Sequence, residues 1–155
     1  MSATGSNVRG FTLVEILVVV AIAGLLVTLA VVNLFPSDAQ LSRRDAAAVA
    51  MSVEHARDAA WFGGRPAAIT FSEGRVREWR FDGRGWQTDG KHDHALPAGL
   101  EIAALHVDGQ PLRNDERLIF LPDGLGIPFS VSLKSRGLGW AVEGDAAGAV
   151  RLAER

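Results

Sequence analysis

A chain of 155 residues with 48% hydrophobic and 22% charged side chains has room for one compact core and a single appended element. Sixteen basic against eighteen acidic side chains leave a formal net charge of −2, which excludes the broad basic footprint of a duplex DNA binder. The absence of cysteine excludes a disulfide framework, a thiol nucleophile and a thiolate metal site, so the compartment must be read from targeting signals.

Residues 1–10 are polar and carry no acid, and they lead into an apolar run from Phe11 to Phe35 interrupted only by Thr12, Glu15, Thr28 and Asn33. As a helix this run would extend about 37 Å, enough to cross a hydrocarbon core of about 30 Å with some tilt. A cleaved secretory signal is the competing reading, since Ala21-Ile22-Ala23 resembles a small-residue cleavage site. The apolar run continues past that site, however, and Glu15 would fall within the signal's own apolar region. A carboxylate at the centre of a span costs about 2.5 to 3.5 kcal/mol, and such groups usually serve a function.

Pro36 then interrupts the helix, and Ser37-Asp38-Ala39-Gln40 has the spacing of a capping box. Val49, Val53, Ala56 and Ala60 follow helical spacing against polar Arg43, Arg44, Asp45, Glu54, Arg57 and Asp58. This predicts an amphipathic helix ended by Gly63-Gly64, with one face packed on a sheet. Beyond Arg65, short β-type runs alternate with the turn dipeptides Glu73-Gly74, Asp82-Gly83, Asp89-Gly90, Asp108-Gly109 and Asp123-Gly124. Strands are expected near 67–72, 75–81, 100–107, 117–121, 128–134, 139–143 and 149–152. The alternation of Phe129, Val131 and Leu133 with Ser130, Ser132 and Lys134 marks a half-buried antiparallel strand.

The segment Arg9-Gly10-Phe11-Thr12-Leu13-Val14-Glu15 resembles the processing motif of type IV prepilins. That resemblance implies cleavage by a prepilin peptidase between Gly10 and Phe11, and methylation of the new amine at Phe11. Glu15, then the fifth mature residue, would offer its carboxylate to the N-terminal amine of a neighbouring subunit during assembly. The physics supports that role: an ammonium and a carboxylate are each expensive in lipid, and together they neutralise one another and fix the axial register. Gly24, within the span, would permit close approach of another helix.

The order of leader, long helix and β domain resembles the pilins and pseudopilins. Gly64-Arg65-Pro66, Leu96-Pro97-Ala98-Gly99-Leu100, and above all Phe120-Leu121-Pro122-Asp123-Gly124 with Pro128-Phe129 and Gly139-Trp140, look like the H-type minor pseudopilins of type II secretion systems. The minor type IV pilins of the FimT kind are their close relatives. One departure is that many major pilins carry a proline where this chain has Val32, with Pro36 following later.

The resemblance implies an α+β, type IV pilin-like fold in which a long N-terminal transmembrane and amphipathic helix packs on a C-terminal antiparallel sheet or sandwich. Its parts would be a leader over 1–10, a membrane-spanning helix half over 11–35, an amphipathic half over 36–64 and a periplasmic β domain over 65–155. It further implies a structural subunit near the tip of the pseudopilus, held in the bacterial inner membrane by a single span. Its partners would be the other minor pseudopilins, the major pseudopilin, the peptidase and inner-membrane lipid, with no cofactor. A minor type IV pilin that contacts DNA or a surface is the alternative.

Three other constellations carry less. His92-Asp93-His94 holds residue types that zinc or nickel favours, but with no further ligand nearby in sequence it reads as a solvated loop, and a metalloenzyme resting on it is the weakest reading. His55 and His106 are isolated in sequence. Between Arg65 and Lys91 six basic residues face four acidic ones, a balance of +2, with Trp79 and Trp86 interleaved. That excess is small for a phosphate tracker, so the segment reads as a hairpin whose tryptophans reach the core or an interface, and nucleic acid is not expected as a partner. No G-x-S-x-G, H-E-x-x-H or phosphate-binding glycine loop is present, and the chain reads as a non-enzyme.

Overall fold

The computed structural model describes residues 11–34, 36–88 and 90–155, with side chains of 30–34 outside the description. The chain divides into two compact units, Met1–Ser37 and Asp38–Arg155.

In the first unit, α1 runs over Leu13–Leu34. Every described side chain from Phe11 to Leu29 is exposed, among them Leu13, Leu17 and Leu25. The Thr28 hydroxyl donates to the Gly24 carbonyl at 2.8 Å, which satisfies the one hydroxyl on this stretch of apolar helix. Among the described residues no helix is long and apolar enough to cross a membrane. The far end of the span expected over 11–35 lies outside the described side chains, as do the leader and Gly10.

The second unit opens with α2, Asp38–Gly63, directly after Ser37, where the capping signal stands. Its buried face is Ser42, Ala46, Val49, Ser52, Val53, Ala56 and Ala60, which contains all four expected apolar positions and two serines. Gly64 stops the helix with a φ of 61°, a conformation that favours glycine. Among the described residues ten strands follow: β1 Ala67–Ser72, β2 Arg75–Phe81, β3 Trp86–Gln87, β4 His94–Ala95, β5 Leu100–Val107, β6 Gln110–Leu112, β7 Leu118–Phe120, β8 Phe129–Ser135, β9 Leu138–Gly144 and β10 Val150–Glu154. All described pairings are antiparallel.

These strands form two five-stranded sheets. One has the order β3-β2-β1-β7 with β4 also on β2, and the other β10-β9-β8-β5-β6. Helix α2 packs against both sheets, so Val49 and Val53 share a core with Ile69, Phe71 and Leu118 of the first and Leu105, Val131 and Val142 of the second. Phe120 and Phe129 meet edge to face at 5.8 Å between the sheets.

Three hairpins turn on two residues, at Glu73-Gly74, Asp108-Gly109 and Arg136-Gly137, each with both φ values positive as a type I′ turn requires. The seven expected strands are present with small shifts at their ends. The added ones, β3, β4 and β6, are only two or three residues long.

Candidate functional site: the N-terminal motif and the helix dock

At the start of α1, Thr12 and Glu15 form a reciprocal cap. The Glu15 amide donates to Thr12 Oγ1 at 3.2 Å, and the Thr12 amide donates to Glu15 Oε2 at 3.4 Å. The Thr12 amide at the helix entry is thereby satisfied, and the Glu15 amide, which also donates to the Thr12 carbonyl at 3.1 Å, gains a second acceptor. The carboxylate also stands near the positive end of the helix dipole. Phe11 is 75% exposed just before this cap, so the residue expected to carry the processed amine and the carboxylate expected to meet an amine occupy one turn of chain. Around Gly24 the chain leaves open space, with nothing within 4 Å of where a Cβ would sit.

In the second unit a buried polar chain docks α2 on the β8–β9 hairpin. The Trp140 indole donates to Ser42 Oγ at 2.7 Å, and Ser42 donates to the Ser135 carbonyl at 3.0 Å. Ser135 Oγ in turn donates to Asp45 at 3.0 Å. Arg136 extends the chain toward Asp45 and Asp38 at 3.7 and 3.5 Å. Ser42 and Ser135 are fully buried, so the bonds that these two residues make replace water that cannot reach the site. Trp140, singled out in Gly139-Trp140, thus fixes the helix. Further along α2, Arg57 donates to the Gly148 carbonyl at 2.9 Å, and Trp61 lies so close to Gly148 that a Cβ there would fall 2.3 Å from the ring.

The tryptophans of the basic segment are half-buried, and Arg117, just before β7, lies over both of their rings. Trp79 donates to Thr70 Oγ1 at 3.1 Å, and the Arg117 guanidinium sits 4.3 Å from its ring centroid. Arg77 pairs with Asp93 at 3.0 Å.

The histidines are brought together in a way that sequence proximity does not reveal. β3 pairs with the Arg80-Phe81 end of β2 and β4 with its Arg75-Val76 end, and His92 and Asp93, just ahead of β4, lie beside the middle of β2. There His92 approaches Glu78 with Nδ1 at 3.8 Å from Oε2, and His55 of α2 reaches the same carboxylate at 2.9 Å. His94 lies beside them, its Nε2 3.3 Å from Ser52 Oγ. His106, on β5, is apart from this group.

The family described as the prokaryotic N-terminal methylation motif matches residues 5–31. Behind that motif, the α+β arrangement of the second unit is the pilin-like fold. Two structures of the minor pseudopilin EpsH from the type II secretion system of Vibrio cholerae are similar to it. One is 20% identical, with a TM-score of 0.54 over 73% of this chain and 96% of that one. The other is 18% identical, with a TM-score of 0.57 over 72% of this chain and 95% of that one. At these identities the likeness is one of fold. No curated protein sequence matches the chain.

Proposed function

We propose that this chain is a minor pseudopilin of a type II secretion system, a structural subunit near the tip of the pseudopilus that supports export of folded proteins across the outer membrane. The observation that carries the reading is a combination: a methylation motif matching residues 5–31, Glu15 at the capped start of an apolar helix, and a second unit folded like EpsH. The apolar side chains exposed along α1 need cover, and inner-membrane lipid before assembly and neighbouring subunits after it would supply that cover. On this reading a prepilin peptidase cuts after Gly10 and Phe11 is methylated. The second unit stands in the periplasm, and the partners are the major pseudopilin and the other minor ones. The role is one of assembly rather than catalysis.

Deletion of the gene in the source bacterium tests this. The expected result is a folded type II reporter retained in the periplasm, with export restored by the parent gene. Unchanged export together with loss of surface pili would overturn the reading in favour of a pilus subunit.

A further inference from the structure

We propose that His55, Glu78 and His92 form a divalent metal site that takes zinc, tying α2, β2 and the segment between β3 and β4 together. Glu78 projects from β2 on the same side as core residue Val76 and is only 7% exposed. A carboxylate buried there is costly unless cations or strong donors surround it. Its oxygens face imidazoles: His55 Nδ1 lies 2.9 Å from Oε1 and 3.0 Å from Oε2, and His92 Nδ1 lies 3.8 Å from Oε2. The two rings are 4.4 Å apart and tilted by 38°, and each has its Nδ1 toward the same carboxylate.

The ligand atoms of the three residues all lie within 4.8 Å of one another. Bonds of about 2.05 Å in a tetrahedron place neighbouring donors about 3.3 Å apart. The two histidine–carboxylate separations of 2.9 and 3.8 Å lie on either side of that edge, and the third pair, within 4.8 Å, would close by side-chain rotation to seat an ion. Two imidazoles and a carboxylate are a donor set suited to zinc.

The site also has an entrance. His55 and His92 are 47% and 38% exposed, and they line a solvent-open pocket of about 380 Å³ with Ser52, Met51 and His94. An ion bound by the three residues would keep an outward position for water or a fourth donor. Because the ligands come from a helix, a strand and a loop, binding would favour the folded state and brace the dock of α2 on the first sheet. This inference is independent of the secretion role.

The test uses the untagged full chain purified in detergent, stripped of metal, and titrated with Zn²⁺ near neutral pH, with Co²⁺ as a spectroscopic probe. The parent is expected to bind one Zn²⁺ per chain, to give the intense visible bands of four-coordinate cobalt, and to melt at a higher temperature with the ion. His55→Ala, Glu78→Gln and His92→Ala should each weaken binding by about 100-fold, as loss of a ligand should cost at least what loss of a supporting group does. His106→Ala should bind like the parent. Should Glu78→Gln fail to fold, His92→Ala decides, since it alters a loop residue. No saturable binding at one equivalent in the parent, or parent-like affinity in the His55 and His92 variants, would overturn the proposal.

Discussion

Thr12 and Glu15 cap each other across the first turn of α1, so the carboxylate has a structural task within its own chain as well as the charge expected to serve assembly. Substitution separates the two. Glu15→Gln keeps the capping spacing and removes the charge, Glu15→Ala removes both, and Glu15→Lys places a cation where another amine is expected. If charge neutralisation governs assembly, Gln and Ala should both reduce crosslinking to the major pseudopilin, with Lys the most severe, while cleavage after Gly10 continues. Parent-level crosslinking with Gln but not Ala would assign Glu15 to the cap alone. Parent-level crosslinking with all three would remove it from assembly.

Ser42 is the joint through which α2 holds the second sheet. Ser42→Ala leaves the Trp140 indole and the Ser135 carbonyl without their shared hydroxyl in a buried site. The expected loss is about 1 to 3 kcal/mol of unfolding free energy, read as a lowered urea midpoint with an unchanged slope. An unchanged midpoint would mean that packing, not this bond, sets the dock.

Gly144 illustrates a glycine required by contact. A Cβ there would fall 2.0 Å from the Phe129 ring, which is itself held edge to face by Phe120. Gly144→Ala should destabilise by about 1 to 3 kcal/mol through overpacking. Gly85→Ala, where a Cβ meets nothing within 4 Å, should stay within about 0.5 kcal/mol of the parent. Similar thermal midpoints for the two variants would contradict the assignment.

Asp82 gives the turn between β2 and β3 a pH dependence. The Arg84 amide and then the Gly85 amide donate to its carboxylate, each at 2.8 Å, and hold its pKa below 3.8. A depressed folded-state pKa contributes stability above the unfolded value that is lost as pH falls through the folded one. The Asp82 carboxyl resonance should therefore titrate below 3.8 in NMR, and the Arg84 and Gly85 amides should shift along with it. Asp82→Asn should remove that dependence, and titration at or above 3.8 would contradict the account.

The hairpins were the most legible part of the fold, because residue pairs such as Glu73-Gly74 stand between alternating runs and a two-residue turn then fixes the register. Arg136-Gly137 makes the same turn, but arginine is no turn signal, so the expected strands stop one residue short of the turn on either side. β3 and β4 are too short to show any periodicity, and they exist because β2 offers an edge. Ser42 and Ser52 lie on the buried face of α2, where polarity alone would have placed them outside. The Thr12-x-x-Glu15 spacing is itself a capping signal, obscured by the processing motif that uses the same residues. The histidine cluster left no comparable trace: His55, Glu78 and His92 meet only because α2 packs across β2, a contact that no local pattern encodes.

The processed N-terminus is the most direct test of the central claim, that this is a prepilin-type subunit rather than a chain with a cleaved secretory signal. The protein should be recovered from membranes of its source bacterium and its N-terminal peptide mass determined. The account predicts a chain beginning at N-methylated Phe11, with Glu15 as its fifth residue. A chain beginning at Gly24, cut after Ala21-Ile22-Ala23, or one still carrying Gly10 ahead of Phe11, would contradict it.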